Sequence, residues 1–551
     1  MSRDHPPSLP MGAAHSDEAS ASDRSTPQAD IKSIRSVVAR EGDLKDGEMR
    51  QVELSGGGKA LLVYQNGVYS AIGHKCTHYG APLVKGALGD GRVRCPWHGA
   101  CFNVLTGDIE DFPGLDGLAC YSVQLEDGDI VLKASPETLK SHKRTMTMSH
   151  MNTEEDSRLF LLIGGGGASA VCAETLRQKG FKGRIVLATR EADCPYDRPK
   201  LTKAMTAKSE SIQLRSSEFY KENGIEIQVS KEAVGLDLTS KSVSFSDGST
   251  IKYDKLMIGT GGSPKKLDLP GEDLQNVFQL RTPENANQII SRIEGKNFVV
   301  IGSSFIGMEV AASTVGKAKS VTVIGRSEVP FARVLGPEIG KAILKMHIDK
   351  GVRFIPNAKV EGFSGNDGNL TGVIVNGETL PAEVCLVGAG VVPSTGFLKE
   401  TGIPLSDVGN IIVDRGMKAL DDVYAGGDIV EFPLPLIDES VNIGHWQIAC
   451  AHGRIAAQSM LGQRAEFNSV PFFWTQMFGK SLRYCGYAKS FDTLLTHGDV
   501  EELKFAAFYA RDGKVTAVAS MNMDPVASRA AEILSQGRAL TPEEMRQKIL
   551  S

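Results

Sequence analysis

The chain has 551 residues, with 61 Lys or Arg against 66 Asp or Glu, a formal net charge of −5 and 41% hydrophobic residues. That length suffices for about three or four domains with real cores, and mild acidity without a Lys/Arg run gives nucleic-acid or anionic-membrane binding no support. No apolar run approaches the roughly 18 residues that span a bilayer, and the nine cysteines are scattered without a disulfide-like pattern, as expected of a reducing compartment.

Residues 1–32 are rich in Ser, Ala, Asp and Pro and read as a disordered tail. They hold no secretory h-region and make a poor transit peptide, so the expected location is cytoplasmic or mitochondrial. Residues 33–136 follow, with short strand-like runs such as Ala60–Tyr64 and Val68–Ile72. In this stretch lie two boxes, Cys76-Thr77-His78 and Cys95-Pro96-Trp97-His98, separated by sixteen residues. Each offers one thiolate and one imidazole. Zinc modules usually pair like with like, as Cys-x₂₋₄-Cys and His-x₃₋₅-His. Mixed boxes beside the turn formers Gly80, Pro82 and Gly99 are instead the ligand set of a Rieske [2Fe–2S] cluster, with two cysteines on one iron and two histidines on the other. Cys76, His78, Cys95 and His98 are therefore the expected metal ligands, and the domain is expected to be all-β.

Residues 137–157 are charged, carry no useful apolar face and read as a linker. Beyond them the texture becomes strand, glycine turn, helix, repeated, as in a doubly wound α/β region. The first nucleotide fingerprint is the run Phe160–Ile163 followed by Gly164-Gly165-Gly166-Gly167-Ala168-Ser169. Gly164 permits the tight turn, Gly166 lets the backbone approach a pyrophosphate, and Ser169 takes the third, packing position. Arg184–Leu187 reads as the next strand, and Glu191, about twenty residues on, is placed to meet a ribose hydroxyl.

Phe298–Ile301 opens a second fingerprint, Gly302-Ser303-Ser304-Phe305-Ile306-Gly307. Its middle glycine is Ser304, and its second strand, Ser320–Ile324, ends in Gly325-Arg326 instead of an acid, leaving the choice between NADH and NADPH open. Thr260-Gly261, after the strand-like Leu256–Ile258, should lie against a bound dinucleotide, and Asp428 is placed to accept from sugar-alcohol hydroxyls. From about residue 465 the glycine rhythm stops and aromatic strands mark a separate α+β domain.

These runs, together with Pro195-Tyr-Asp-Arg-Pro-Lys-Leu, Gly307-Met-Glu-Val-Ala and Phe478-Gly-Lys-Ser-Leu-Arg-Tyr, make residues 158–551 resemble FAD- and NAD(P)H-dependent reductases of the glutathione-reductase superfold. Among these, the likeness is to ferredoxin reductases of aromatic-dioxygenase systems and to the apoptosis-inducing-factor group, which includes a Rieske-bearing member. The resemblance implies an FAD domain over 158–281 and 405–464, an inserted NAD(P)H domain over 282–404 and a C-terminal domain over 465–551. It also implies further FAD contacts at Arg198, Lys203, Arg281, His445, Trp446 and Trp474. NAD(P)H contacts are implied at Gly302, Ile306, Gly307, Glu309, Arg326 and Gly390, with Lys203 and Glu309 in catalytic positions. The loop before Ala425-Gly-Gly-Asp lacks the family's threonine and looks one residue short. Ala81 and Trp97 stand where high-potential Rieske proteins carry a cysteine pair, so the cluster resembles the lower-potential kind.

No Cys-x-x-Cys or Cys-x₄-Cys pair lies near the flavin segments, which removes a dithiol relay. The expected activity is electron transfer from NAD(P)H through FAD to the cluster. By resemblance, the cluster histidines face outward toward an unidentified one-electron acceptor. A redox-sensing, slow-turnover flavoprotein of the apoptosis-inducing-factor kind is the alternative, and the sequence leaves a homodimer open.

Overall fold

A computed structural model describes residues 33–550; the expected disordered tail, residues 1–32, lies outside them. The N-terminal domain is built on a six-stranded antiparallel sheet in the order Ile34–Arg40, Asp129–Ala134, Cys120–Glu126, Val68–Gly73, Lys59–Gln65, Glu48–Glu53. Alternate side chains of a strand point to opposite faces. In Lys59–Gln65 this sends Leu61 and Val63 into a core shared with Cys76 and Cys95, and Ala60 and Leu62 into a second core behind the sheet. A four-stranded sheet, Ala87–Leu88, Arg92–Arg94, Cys101–Asn103 and Ile109–Asp111, completes the first core.

The stretch expected to be a plain linker is tied down at several points. Pro136–Lys140 is a short helix capped by Ser135, and Lys143–Arg144 pairs with Gly117–Leu118. Arg144 reaches Thr106 O and Asp108, and Ser149 Oγ donates to Arg177 O and Phe181 O in the following domain. Backbone pairing and polar side chains do this holding, and neither leaves the apolar stripe by which a packed segment is read from sequence.

Two parallel sheets follow. The first runs Ile225–Gln228, Arg184–Ala188, Leu159–Ile163, Lys255–Ile258, Val423–Ala425, with Lys418–Leu420 antiparallel at its edge. The second runs Val277–Phe278, Val384–Val387, Asn297–Ile301, Ser320–Ile324, Val352–Ile355. Its edge strand Val277–Phe278 lies before residue 282, so the second sheet begins earlier in the chain than the sequence boundary. That two-residue, half-buried strand is too short to show a period. The last domain is a five-stranded antiparallel sheet spanning Phe472–Met521, covered by helices Val526–Ser535 and Pro542–Leu550. No helix among the described residues is long and apolar enough to cross a membrane.

Helices Gly167–Gln178 and Trp446–Met460 cross so closely that a Cβ on Gly453 would lie 2.1 Å from Ala168 O. That contact fixes the helix behind the glycine loop against the helix that carries Trp446.

Candidate functional site

A cavity of about 850 Å³ opens where the first parallel sheet, the second nucleotide unit and the C-terminal sheet meet. Of the expected FAD residues, Gly164, Gly166, Glu191, Arg198, Lys203, Thr260, Gly261, Arg281, Asp428, His445, Trp446 and Trp474 line it. Ile306 and Glu309 reach it from the second unit. Ser169 does not line it. It is fully buried beside Gly259 and Ile163 O and packs helix on strand, the job of the third glycine. Gly302, Gly307, Arg326 and Gly390 also lie off this cavity. Gly307 is a packing position, since a Cβ there would fall 2.0 Å from Gly302 O.

The donors of the cavity suit a dinucleotide. Gly164 holds φ +108°, and a Cβ on it would strike Gly259 O at 2.2 Å, whereas a Cβ on Gly166 would project into open space. Helix Gly167–Gln178 starts at Gly166 with no side-chain cap, which leaves its first N–H groups for an anion. The recessed Arg281 guanidinium has no hydrogen bond or ion pair among the described residues, and burial, with Arg198 nearby, pulls its pKa down. Nδ1 of His445 is buried without a partner, and burial alone brings that imidazole to about 4. These orphaned groups fit FAD. Glu191 is held in place by Arg198 at 2.9 Å and by the Tyr196 hydroxyl at 2.6 Å.

At the inner end Glu309 is buried and accepts from Lys203 Nζ at 2.7 Å, Thr475 Oγ1 at 2.5 Å and Thr202. The two residues expected to be catalytic are thus one ion pair on the cavity wall. Thr202 and Thr475 were missed in the sequence, and a lone threonine carries no signal of such a role.

The two cluster boxes form matching loops. Cys76 N donates to Ala81 O and Cys95 N to Ala100 O, and each loop turns on a left-handed glycine, Gly80 at φ +77° and Gly99 at φ +75°. The Cys76 and Cys95 thiols contact each other, and His78 Nδ1 lies 3.1 Å from His98 Nδ1. Among the described residues no group of three or more His, Cys, Asp or Glu converges as the ligands of one ion would. A thiol pair and an imidazole pair, one of each from either loop, fit two irons with two protein ligands each. Burial lowers both imidazoles, His78 to about 3, which keeps them in the neutral form a metal takes.

Contrary to the expectation from the resemblance, these histidines face the neighbouring domains and not outward. His98 lies 4.7 Å and His78 5.9 Å, ring to ring, from Trp474, itself a wall of the large cavity. The reason is a docking face contributed by distant residues. Arg94, 1% exposed, is held by Glu532 at 2.5 Å and Asp111 at 3.1 Å, while Arg92 joins Glu532 at 2.8 Å. Asp111 accepts from Gln447 Nε2 at 2.8 Å, Arg483 Nε donates to Pro96 O and Ser528 Oγ to Cys95 O, both at 2.9 Å. Tyr79 stacks on His78 and donates to Asp197. A Cβ on Gly99 would fall 2.5 Å from the Phe472 ring, so this glycine serves both the turn and the interface.

Fold and site together define a flavin- and nicotinamide-nucleotide-dependent oxidoreductase with a fused iron–sulfur domain. The chain belongs to the pyridine nucleotide-disulphide oxidoreductase family, whose model matches residues 160–453, flanked by a Rieske [2Fe-2S] domain at 35–122 and a reductase C-terminal domain at 472–549. Its cofactors are FAD, NAD(P)H and a [2Fe–2S] cluster. It is similar along most of its length to apoptosis-inducing factor 3 of Homo sapiens, 48% identical over 519 residues, covering 93% of this chain and 86% of that one. Rhodocoxin reductase of Rhodococcus erythropolis is 32% identical, over 70% of this chain and 91% of its own. Among solved structures, the ferredoxin reductase for the CYP199A2 system from Rhodopseudomonas palustris matches with TM-score 0.67 and 29% identity, covering 71% of this chain and 97% of that one.

Proposed function

We propose that this chain relays electrons from NAD(P)H to its own Rieske domain, and from there to a one-electron acceptor. The observation that carries this reading is the seating of the half-buried His78/His98 pair against Trp474, a wall of the cavity that suits FAD. When bound, FAD supplies the exchange between a two-electron hydride and single electrons, and the cluster carries electrons one at a time. The protein's part is positioning. Gly164, Gly166 and Arg281 hold the pyrophosphate end, Glu191 and Asp428 the sugar hydroxyls, and Lys203 with Glu309 the inner end where the nucleotide arrives. Trp474 lies against both the cavity and the two histidines.

Anaerobic titration with NADH and then NADPH tests the relay, following flavin absorbance and the electron paramagnetic resonance of the cluster together. Bleaching followed by a reduced Rieske signal is expected. Bleaching with a silent cluster would overturn it.

A further inference from the structure

The two nucleotide-binding units can be laid over one another by their own strand pairing. Ile163 pairs with Ala188 at the end of the first fingerprint strand, and Ile301 with Ile324 at the end of the second. Gly164 and Gly302 then coincide, with φ +108° and +113° and would-be Cβ atoms 2.2 Å and 2.3 Å from Gly259 O and Gly388 O. The register is checked by one further pair of contacts. A Cβ on Gly165 would meet Thr189 Oγ1 at 2.8 Å, and a Cβ on Gly325 would meet Ser303 Oγ at 3.0 Å. Thr189-Arg190-Glu191 of the first unit therefore corresponds to Gly325-Arg326-Ser327 of the second.

The two triplets differ in charge. The first ends in Glu191, aimed into the cavity, and its Arg190 is occupied by Ser263 at 3.0 Å and Glu232 at 3.8 Å. The second has no carboxylate. A side chain at position 325 would have to displace the Phe354 ring, whose tip lies 2.6 Å from a Cβ built there. Arg326 is exposed and has no hydrogen bond or ion pair among the described residues. The next acid, Glu328, is also exposed and falls one position past the triplet. A carboxylate here would bind a ribose 2′-hydroxyl and repel a 2′-phosphate; a free guanidinium beside hydroxyls favours the phosphate.

We propose that the second unit selects NADPH, holding its 2′-phosphate with Arg326 and the hydroxyls of Ser303 and Ser327. This rests on the second unit being the NAD(P)H site but not on the relay to the cluster.

Calorimetry on the full holoprotein with 2′,5′-ADP and 5′-AMP tests it without turnover. The 2′-phosphorylated probe is expected to bind about tenfold tighter or more. Arg326→Ala should bring it to the level of 5′-AMP while leaving 5′-AMP within about twofold, and Ser327→Glu should reverse the preference. Equal or weaker binding of 2′,5′-ADP, or an equal loss of both probes in Arg326→Ala, would overturn the proposal. Neither probe binding would overturn the proposal together with the nucleotide reading beneath it. A cluster that stays silent while NADPH bleaches the flavin would overturn the relay and leave the selectivity standing.

Discussion

Glu532→Gln keeps the shape of the side chain and removes the charge that pins the Rieske domain in place. Glu532 is 7% exposed and Arg94 1%, at 2.5 Å. Removing one partner of a buried pair costs about 3–5 kcal/mol, because the other charge is left uncompensated. Arg94 keeps Asp111 at 3.1 Å and Arg92 is 28% exposed, so the lower end applies. About 3 kcal/mol is roughly a hundredfold in the docked-to-undocked equilibrium if all of it falls on docking. Stopped-flow mixing with nucleotide separates the consequences. Flavin bleaching should proceed at the wild-type rate, whereas cluster reduction should slow, since His78 and His98 no longer rest on Trp474. Identical phases with an unchanged melting temperature would refute the reasoning. The pair Arg94→Met with Glu532→Leu is the companion test, because apolar replacement of a whole buried pair is often neutral; it should recover much of the docking. The same network sets a pH dependence. Burial alone would raise the Glu532 carboxyl, but Arg94 and Arg92 outweigh it and hold the group below its ordinary value. A depressed carboxyl pKa contributes stability above the unfolded value and loses it as pH falls through the folded one. Docking should therefore weaken below about pH 4, visible as selective loss of cluster reduction.

Trp474→Leu should slow cluster reduction while leaving the binding of nucleotide unchanged, in the same two-phase experiment. Lys203→Met and Glu309→Gln should each lower kcat/KM for the nucleotide by about tenfold or more, and the double variant should be little worse, because they act as one pair; steady-state kinetics with an artificial acceptor reads this. Gly453→Ala should destabilise by about 1–3 kcal/mol, since the added methyl meets Ala168 O at 2.1 Å. The measurement is the melting temperature together with the flavin-to-protein absorbance ratio, which should fall.

What the sequence discloses of this molecule follows from the range over which each feature is determined. The glycine turns are local: Gly164 and Gly302 must adopt φ values near +110°, so their spacing from a strand is visible in the chain itself. The four cluster ligands are local for the same reason, each pair of residues sitting in a loop closed by its own glycine. The direction in which the histidines look is not local. Glu532 lies 438 residues from Arg94, and Gln447 336 residues from Asp111. Neither carries a motif, and an arginine one place before a cluster cysteine reads as solvated until its partner is seen. The anchoring of the linker is hidden on similar grounds, because Lys143–Arg144 pairs through backbone atoms that composition does not record. The second nucleotide unit is non-local in the same way. Gly325 looks like a lost acid in the sequence. In the structure the Phe354 ring fills the place where its side chain would be. An acid at 325 would have to displace that ring, whereas 327 already carries a side chain, and for that reason Ser327→Glu is the substitution that should give a preference for NADH.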